Sequence, residues 1–538
     1  MDKVADQLAR IVELDNGHAR KKVVIIGAGM AGLSAAYELS KLGHTVTVLE
    51  ATNRVGGRVR THRFTSTGEY HELGAMRIPK SHDYTRHYIG EVGLDPALRT
   101  FVTSHVNQNC FYYFGGRVCR IKDAPASVFD RFHLSAHEQQ IAYQHPGRAR
   151  ALLGLLLENT LKSLNDEDRA SLFGEQLLTD RAAALEQQTL GDFLSRRLET
   201  ADARELVGSV TGLEVWWEMA LPMILRDEIV DTSTGLQEIA GGMDLLPTKL
   251  AAKLPNGTIR YNIEVLSIRL AGDEIHLRTR PTKSPGADET DWDCPPTNKP
   301  PQDEKADFVI CTIPFGVLRE VELEGLSAQK MRAIRNLNYA SSTKVLLHCR
   351  ERFWELGAPD ERIIGGASHT DLITRATYYP SDHAATSPTT FAGRTGREGF
   401  RSIYTDFALG AVPINSTKEA SPGPGVLVGS YNWGRDARRL GALPPNERAT
   451  TVINVIRNFH QDIDKYVDDE CSMYWDDFRW SRGAFCFMHP GDLRDYYHAA
   501  IRPEGRLHFA GEHCSLDQGW MQGAVMSGLR AVEEVVGR

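Results

Sequence analysis

The chain has 538 residues, of which 62 are basic and 70 are acidic, so its formal net charge is −8. A chain of this length exceeds the size of one compact core, and we expect two or three domains. The apolar fraction of 41% and the charged fraction of 25% are typical of a globular protein, and the acidic balance does not suggest a nucleic-acid partner.

The eight cysteines are scattered, without a CxxC pair or a Cys/His cluster. This spacing argues against a disulfide scaffold and against a zinc site, so we predict no metal centre. Residues 1–7 lack the apolar core of a signal peptide, and no uncharged apolar run approaches the length of a membrane span. We therefore expect a cytoplasmic protein with neither a membrane nor a nucleic-acid partner.

A strand–turn–helix–strand pattern that ends on an acid follows the first twenty residues, which we interpret as an exposed helix or tail. The apolar run Val23–Ile26 leads into Gly27-x-Gly29-x-x-Gly32, and a second apolar run ends at Glu50. The first glycine permits a tight turn, the second lets a pyrophosphate approach the backbone, and the third lets the helix pack close to the strand. The helix N-terminus attracts phosphate, and Glu50 can accept hydrogen bonds from ribose hydroxyls. The pattern predicts a dinucleotide site, and the acid argues against NADP.

The middle of the chain changes from helical to strand character. No proline occurs between Pro146 and Pro222, where Leu, Ala, Glu and Arg dominate, and this predicts a helical domain. Strand patterns follow at Thr258–Ile268 and Ala306–Thr312. The polar stretch Pro281–Lys305 between them predicts a long exposed hairpin loop.

The last third of the chain contains a second polar insertion and the final strand–helix unit. We predict that Pro380–Pro424 is surface loop and that Gly425–Tyr431 is a buried strand. The C-terminal part repeats the opening pattern, with a strand at Leu507–Ala510, a turn and a helix that begins near Gly519.

Arg54-Val-Gly56-Gly57-Arg58 comes shortly after the acid that closes the dinucleotide unit. Its two glycines permit a tight turn, and an arginine can bind a phosphate through two parallel N–H groups. The alternative is a surface turn with a solvated arginine, which the position directly after a dinucleotide unit disfavours.

These motifs, together with Phe509-Ala-Gly511-Glu512-His-Cys, resemble the flavin amine oxidase family. The resemblance extends over most of the chain but is dense only at the motifs. It implies FAD as the cofactor and an α/β fold of mixed α+β character, with a Rossmann-like, GR2-type FAD-binding domain, a mixed-sheet substrate-binding domain and a helical domain. The implied boundaries are 1–82, 235–325 and 475–538 for the FAD-binding domain, 83–123 and 326–474 for the substrate-binding domain, and 124–234 for the helical domain.

The residues that the resemblance assigns to FAD binding lie in or beside these motifs. They are Gly27, Gly29, Met30, Ala31, Gly32, Glu50, Ala51, Gly57, Arg58, Gly74, Ala75, Met76, Arg77, Val265, Trp475, Gly511, Glu512, Gly519, Trp520, Met521 and Ala524. Within this set, Val265 is implied to contact the adenine through its backbone. Trp475 and the segment Gly483–Phe485 are implied to lie near the isoalloxazine.

The segment Glu72-Leu-Gly74-Ala-Met-Arg77-Ile-Pro79 resembles the L-amino acid oxidase branch of the family. The resemblance implies that Arg77 grips the substrate carboxylate and that the Tyr431 hydroxyl is its second partner. A planar guanidinium binds a carboxylate bidentately and fixes its plane, which a lysine does not do. The alternatives are an Arg77 paired with a structural acid and a Tyr431 that belongs to the core.

Gly519-Trp520 resembles the glycine–aromatic pair that this family places beside the flavin. It implies that Trp520 packs the substrate side chain and that the Gly519 carbonyl receives the substrate amine. The N–H groups of the following helix would face the flavin pyrimidine edge, where negative charge accumulates on reduction. Some monoamine oxidases attach FAD to a cysteine near this position, but the neighbours here are Asp517 and Gln518, so we expect non-covalent FAD. Cys514 is the remaining candidate for attachment.

Lys344 interrupts an apolar strand pattern. Burying a lysine is costly unless it is paired or functional. The resemblance implies that it holds a water near flavin N5 and assists reoxidation by oxygen or imine hydrolysis. The alternative is a lysine at a strand end whose ammonium group reaches solvent.

Trp216, Ala220 and Met223 are spaced to fall on one helical face. Such a stripe belongs to a core more often than to a pocket. If it lines the substrate entrance, Ala220 leaves room in an aromatic wall for a large side chain.

The resemblance therefore predicts an FAD-dependent L-amino acid oxidase with Lys344, Arg77, Tyr431 and Trp520 as its catalytic residues. Hydride moves from the substrate α-carbon to flavin N5, and the imino acid hydrolyses to a 2-oxo acid and ammonia while oxygen becomes hydrogen peroxide. We expect large apolar or aromatic substrates and a homodimer. Three alternatives stay open: an L-amino acid 2-monooxygenase, a mono- or polyamine oxidase of the same fold, and a catalytically silent FAD-containing scaffold.

Overall fold

The computed structural model describes residues 3–17, 19–102, 107–144, 149–174, 178–227, 235–283, 294–384 and 423–538. Most of the predicted insertion Pro380–Pro424 and the centre of Pro281–Lys305 therefore lie outside the described residues. No helix within the described ranges is long and apolar enough to cross a membrane.

Eighteen α-helices occur in the described ranges. They are α1 Lys3–Asp15, α2 Met30–Lys41, α3 Asp83–Glu91, α4 Ala124–Ser127, α5 Ala136–Gln144, α6 Ala149–Lys162, α7 Asp166–Phe173, α8 Asp180–Glu186, α9 Leu190–Ser195, α10 Ala201–Thr211, α11 Leu221–Leu225, α12 Leu245–Ala251, α13 Phe315–Leu318, α14 Ala328–Asn336, α15 Gly434–Gly441, α16 Pro445–Ile456, α17 His498–Ile501 and α18 Met521–Val536.

The strands of the same ranges form six sheets. They are β1 Lys22–Ile26, β2 Thr45–Leu49, β3 Thr61–Arg63, β4 Tyr70–Glu72, β5 Ile78–Pro79, β6 Leu98–Phe101, β7 Phe111–Phe114, β8 Arg117–Arg120, β9 Leu236–Ile239, β10 Ile259–Arg260, β11 Ile263–Ala271, β12 Glu274–Pro281, β13 Gln302–Ala306, β14 Phe308–Cys311, β15 Glu322–Glu324, β16 Asn338–Ala340, β17 Ser342–Cys349, β18 Ala367–Thr370, β19 Ala376–Tyr378, β20 Gly425–Trp433, β21 Val467–Tyr474, β22 Phe485–Phe487 and β23 Leu507–Phe509.

A five-stranded parallel sheet in the order β10-β2-β1-β14-β23 carries the predicted dinucleotide unit. Strand β1 is buried from its second residue onward, as expected for a sheet covered on both faces. Helix α2 follows β1 directly, and α18 packs on α2 so closely that a Cβ on Gly528 would lie 2.6 Å from the Ala31 carbonyl oxygen. The strand–turn–helix–strand pattern of the sequence is confirmed.

A seven-stranded mixed sheet in the order β21-β17-β20-β19-β18-β7-β8 forms the second layer. Only the β18–β7 pair is parallel among the described strands of this sheet. All eight residues of β17 are buried, and its antiparallel register places Lys344 opposite Tyr431 of β20. The sheet shares one hydrophobic core with helices α6 to α11, where the sequence predicts the helical domain.

Strands β12 and β13 pair antiparallel at the two ends of the predicted hairpin loop. The prediction is confirmed for the described residues, although Gln302–Lys305 belongs to strand β13 rather than to the loop. Residues 284–293 lie outside the described part.

Helix α1 corrects one prediction, because it is neither a tail nor an exposed helix. Val4 and Ile11 are buried in the core that covers the parallel sheet, and Gln7 donates a hydrogen bond of 3.2 Å to Glu533 of α18. The sequence-based prediction missed the buried face formed by Val4 and Ile11 because of the polar composition of the segment.

The stripe of Trp216, Ala220 and Met223 does not lie on one helix, so this prediction is wrong. Trp216 ends a 3₁₀ helix, whereas Ala220 precedes α11 in extended conformation and donates its N–H to the Met488 carbonyl. Pro222 has no N–H to continue a helix from the preceding turn. Ala220 therefore leaves no gap in a pocket wall, and Met223 packs in a core beneath the parallel sheet.

The strands of the parallel sheet come from three separated parts of the chain, at residues 22–49, 259–311 and 507–509. Each part falls inside one of the three segments predicted for the FAD-binding domain. The residue boundaries between the domains stay a prediction.

Candidate active site

A long cleft begins at the carboxyl ends of β1, β2 and β14 and extends toward the seven-stranded sheet. This edge of a parallel sheet is where ligands of doubly wound folds bind. The cleft encloses about 350 Å³. Its wall contains the predicted residues Gly27, Gly29, Met30, Ala31, Glu50, Ala51, Gly57, Arg58, Gly74, Ala75, Val265, Lys344, Tyr431, Trp475, Gly511, Glu512, Gly519, Trp520, Met521 and Ala524.

The three motif glycines have different surroundings, which match the three roles expected of them. Gly27 has φ +102°, a conformation that favours glycine. A Cβ on Gly32 would lie 2.0 Å from the Gly27 carbonyl oxygen, so this glycine does not line the cleft but lets α2 pack against the turn. A Cβ on Gly29 would meet nothing within 4 Å. The backbone at Gly29 is therefore open to a ligand in the cleft.

Glu50 is held in the cleft by its own hydrogen bonds. One carboxylate oxygen accepts the Ala28 N–H at 2.8 Å, and the other accepts the N–H of Thr52 at 2.9 Å and its hydroxyl at 2.7 Å. The side chain is buried yet forms part of the cleft wall, which suits a carboxylate that receives ribose hydroxyls.

The two arginines of the Arg54–Arg58 turn have separate roles. Arg54 donates to the carbonyl oxygens of Gly57 at 2.5 Å and Val59 at 3.3 Å, so it stabilises the turn. Arg58 forms an ion pair of 2.7 Å with Glu512 and donates to the Ala484 carbonyl at 3.0 Å. The sequence anticipates Arg58 in the cleft but not its pairing with Glu512, which follows 454 residues later.

Glu512 joins three segments around the inner end of the cleft. Besides its ion pair, its carboxylate accepts the backbone N–H of Cys486 at 3.1 Å and that of Gly519 at 3.0 Å. Gly519 has φ +79°, and Trp520 precedes the first turn of α18. The carboxylate therefore fixes the glycine–tryptophan pair at the start of that helix.

Lys344 is buried and its ammonium group is surrounded by acceptors. Nζ donates to the carbonyl oxygens of Gly74 at 2.6 Å and Glu72 at 3.1 Å, and it lies 3.2 Å from the Met76 sulfur. Burial lowers the pKa of Lys344 to about 7, the Glu72 carboxylate opposes this shift, and Arg77 adds to it. The alternative of a lysine that reaches solvent is wrong.

Glu72 is the acidic neighbour of this lysine. Its carboxylate accepts the Thr61 hydroxyl at 2.8 Å and the Met243 N–H at 2.9 Å. Burial raises the pKa of Glu72, and these hydrogen bonds and the Lys344 ammonium group oppose the shift. Two buried groups of opposite charge type with shifted pKa values therefore lie beside the cleft, as in many active sites.

A second cavity of about 90 Å³ adjoins the cleft and holds the predicted carboxylate clamp. It shares Ala75, Tyr431, Phe485, Gly519, Trp520 and Met521 with the cleft, and it adds Met76, Arg77, Ile78, His82, Trp216, Asp227, Trp433 and Gln518. The Arg77 guanidinium carbon lies 6.0 Å from the centre of the Trp520 ring. Arg77 and Tyr431 thus line one cavity, although they are 354 positions apart in the sequence.

Aromatic rings form much of this second cavity. The ring centres of Tyr431 and Trp433 are 4.4 Å apart, and those of Trp216 and Trp433 are 5.6 Å apart. Burial raises the pKa of Tyr431, so the phenol stays protonated and able to donate a hydrogen bond. The Trp520 indole N–H donates to Asp227 at 2.9 Å.

Sequence reasoning missed His82, Asp227, Trp433 and Gln518 as cavity residues. His82 directly precedes α3, and Asp227 lies in the helical turn that follows α11, and neither belongs to a recognisable motif. Trp433 is two positions after Tyr431 on β20, and residues two apart on a strand share a face. That period was the signal available for Trp433, and the position of Gln518 directly before the predicted Gly519 was the signal for that residue. Only the tertiary structure brings His82 and Asp227 to the cavity.

Cys514 is buried in the core beneath the parallel sheet, and its thiol donates to the Ala500 carbonyl at 3.7 Å. It is not among the residues that line the cleft. No group of three or more His, Cys, Asp or Glu side chains within the described ranges is placed to hold a metal ion.

The cleft fits a dinucleotide on three observations of this structure. The backbone is open at Gly29, the Glu50 carboxylate is fixed at the ends of β1 and β2, and helix α2 begins at the cleft wall. A helix N-terminus and an exposed glycine backbone bind pyrophosphate, and an acid after the second strand binds ribose.

Comparison with known proteins gives a match over almost the whole chain. The sequence model of the flavin-containing amine oxidoreductases matches residues 30–536. The flavin-dependent L-tryptophan oxidase of Lentzea aerocolonigenes is 32% identical over 97% of this chain and 99% of its own length. The L-amino-acid oxidase of Echis ocellatus is 29% identical over 96% of this chain and 89% of its own length.

Two solved structures share the fold. Cyclohexylamine oxidase from Brevibacterium oxydans superimposes with a TM-score of 0.67 at 18% identity, covering 96% of this chain and 99% of that enzyme. Putrescine oxidase superimposes with a TM-score of 0.66 at 17% identity, covering 97% of this chain and all of that enzyme. At this identity the likeness establishes the architecture, and the predicted α/β fold with a mixed second sheet is confirmed.

Proposed function

Because the chain belongs to the family of flavin-containing amine oxidoreductases, we propose that it is an FAD-dependent L-amino acid oxidase. The observation that carries the proposal is the position of Arg77 and Tyr431. A guanidinium and a partly buried phenol line one small cavity that shares wall residues with the dinucleotide cleft. This pair matches an α-carboxylate, because a guanidinium binds it bidentately and a phenol O–H adds a third donor.

The relatives support the same substrate class. Those named L-tryptophan oxidase and L-amino-acid oxidase are each matched along most of their length. A plain amine carries no carboxylate for Arg77 to bind, so the cavity favours amino acids over the amines named for the two solved structures. We propose that the α-carboxylate lies on Arg77 and Tyr431 while the Gly519 carbonyl receives the α-amine.

The chain's own residues position the substrate and exclude water. FAD bound in the cleft would supply the redox chemistry, which is the acceptance of hydride from the substrate α-carbon and the transfer of its electrons to oxygen. With carboxylate and amine both fixed, only one enantiomer directs its α-hydrogen toward the cleft. Trp520 and Phe485 line both the cleft and the second cavity, where they would pack against the substrate, and the Lys344 nitrogen would hold a water against the cleft.

We further propose that FAD is bound without a covalent link, because Cys514 packs in the core rather than in the cleft wall. Trichloroacetic acid precipitation tests this, since non-covalent FAD is released into the supernatant.

We also propose that the protein is a cytoplasmic homodimer. The amino-acid composition supports the location and the family resemblance supports the dimer, which light scattering of the purified holoenzyme tests.

The experiment that tests the function is product analysis of the aerobic reaction. The holoenzyme is supplied with L-phenylalanine, L-tryptophan, L-leucine and their D-enantiomers, and with the matching amines. We expect a 2-oxo acid, ammonia and hydrogen peroxide in equal amounts from L-amino acids. An amide with carbon dioxide would instead identify a monooxygenase, turnover of amines alone would identify an amine oxidase, and no product would indicate a silent scaffold.

A further inference from the structure

Gln518 presents a buried carboxamide to the second cavity without a hydrogen-bond partner. The residue is 8% exposed and lines the cavity together with Arg77 and Tyr431. Neither its Nε2 nor its Oε1 atom has a partner in the part of the chain that the structure describes. Buried amides in folded proteins are almost always satisfied, so this one indicates a partner that arrives with a ligand.

The nearby Gln522 shows that this part of the structure can supply hydrogen-bond partners to a buried glutamine side chain. Its Nε2 donates to Asp83 at 2.6 Å, and its Oε1 accepts the Thr85 N–H at 3.0 Å. Gln522 therefore has a structural role between α3 and α18. Gln518, four residues earlier, has no such bonds and faces the cavity instead.

The surroundings of the carboxamide favour a flat ring. Trp216, Trp433 and Phe485 line the same cavity, with ring centres 5.6 Å apart for Trp216 and Trp433 and 6.3 Å apart for Trp216 and Phe485. The Trp216 indole N–H is also buried without a partner among the described residues. These distances are those of aromatic rings in contact, so Trp216, Trp433 and Phe485 form one continuous aromatic wall against which the edge or face of a further ring can pack.

The charges of the cavity favour a side chain without net charge. The acidic and basic side chains in its described wall, apart from His82, are Arg77 and Asp227, one of each sign. A zwitterionic amino acid adds one positive and one negative charge, so the net charge of the occupied cavity stays the same. A lysine or glutamate side chain would add a charge that no fixed group in the described wall remains to compensate.

We propose that Gln518 is a specificity-determining residue that binds the polar edge of an aromatic substrate side chain. Its Oε1 accepts a hydrogen bond from an indole N–H or a phenol O–H, while the ring packs among the aromatic residues of the wall. The inference rests on the proposed L-amino acid oxidase function and narrows its substrate class to L-tryptophan and L-tyrosine. L-phenylalanine fits the walls but leaves the carboxamide unpaired, which lowers its kcat/KM by about 10- to 100-fold.

The test compares kcat/KM for L-tryptophan, L-tyrosine and L-phenylalanine in three proteins. They are the wild type, Gln518→Met and Gln139→Met. The methionine at position 518 keeps the length of the side chain and removes its hydrogen-bonding groups. Gln139 is exposed on α5 and lies outside both cavities, so it serves as the matched control. We expect the wild type to favour tryptophan or tyrosine over phenylalanine by about tenfold or more.

In Gln518→Met this preference should disappear. We expect kcat/KM to fall for L-tryptophan and L-tyrosine, the substrates with a polar ring edge, and to stay unchanged or rise for L-phenylalanine. The Gln139→Met control should keep the wild-type ratios. Wild-type inhibition by 3-phenylpropanoate, 3-(4-hydroxyphenyl)propanoate and 3-(indol-3-yl)propanoate gives a second measurement that requires no variant. The polar-edged acids should bind about tenfold more tightly than 3-phenylpropanoate.

Three outcomes would overturn the inference. They are equal wild-type kcat/KM for phenylalanine and the polar-edged substrates, a uniform loss for all three in Gln518→Met, and faster oxidation of lysine or glutamate than of any aromatic amino acid. Each leaves the proposed function standing, because L-amino acids are still oxidised. If no L-amino acid reduces the flavin, the proposed function fails, and the inference fails with it.

Discussion

Lys344 and Tyr431 are direct cross-strand neighbours on β17 and β20, and the Lys344 nitrogen lies 4.2 Å from the centre of the Tyr431 ring. One strand register therefore sets the distance between the residue proposed to hold water and the residue proposed to bind the carboxylate. A slip of one residue along either strand would turn the side chain of that strand to the other face of the sheet and separate the pair. The burial of every residue of β17 opposes such a slip.

Replacing Lys344 with methionine should separate the two half-reactions. We expect the rate constant for flavin reoxidation by oxygen to fall about 100-fold, the size typical of a lost proton-transfer group, while reduction by an L-amino acid changes much less. Stopped-flow absorbance measures both steps. Lys253→Met, which changes an exposed lysine, is the control. Equal slowing of reduction and reoxidation would contradict a role in reoxidation.

The pH profile of reoxidation should follow the Lys344 amine. Burial lowers the pKa of Lys344 to about 7. Formation of hydrogen peroxide takes up a proton that the ammonium group can donate, so the rate should fall as pH rises through this value. The Glu72 carboxylate favours the ammonium form, so Glu72→Gln should lower the pKa of Lys344 and move the fall to lower pH. Glu72→Asp, which keeps the charge, should shift it less. A shift to higher pH in Glu72→Gln would show that Lys344 does not control the profile.

Alanine at two motif glycines should produce different defects. A Cβ at position 32 would lie 2.0 Å from the Gly27 carbonyl oxygen, so Gly32→Ala should destabilise the apoprotein. Position 29 has open space, so Gly29→Ala should leave the thermal midpoint of the apoprotein unchanged and weaken FAD binding, because the methyl group enters the cleft. Calorimetry of apoproteins and FAD titration measure the two effects. Normal FAD affinity in Gly29→Ala would place the pyrophosphate elsewhere.

The Arg58–Glu512 ion pair should behave as one unit. Removing Arg58 leaves the buried Glu512 carboxylate without its main partner, which costs about 3 kcal/mol, whereas removing the Glu512 charge leaves the partly exposed Arg58 and costs less. We expect Arg58→Met and Glu512→Gln each to lower the thermal midpoint of the apoprotein, and the double variant to lose less than the sum of the two. A double-mutant cycle by calorimetry checks this. Strict additivity would mean that the pair contributes no coupling energy.

Local motifs predicted 20 of the residues that line the long cleft. The turn at Gly27, the acid at Glu50 and the glycine–tryptophan pair at 519–520 are defined by near neighbours, and all of them line the cleft. The helical face through Trp216 was wrong because Pro222 interrupts it, although Trp216 does reach the second cavity. Asp227 was missed because chain topology, rather than spacing, brings it beside Arg77, whereas Gln518 adjoins the predicted Gly519 and could have been inferred from that position.

The measurement that tests the central claim most directly is anaerobic mixing of the holoenzyme with matched ligands, followed by the absorbance of the oxidised flavin. L-phenylalanine, D-phenylalanine and phenethylamine share one side chain and differ in the carboxylate or the chirality. The Arg77–Tyr431 clamp predicts bleaching by the L-amino acid alone, and Arg77→Met should slow it severely while FAD stays bound. Bleaching by phenethylamine but not by L-phenylalanine, or an unchanged rate in Arg77→Met, would contradict the clamp.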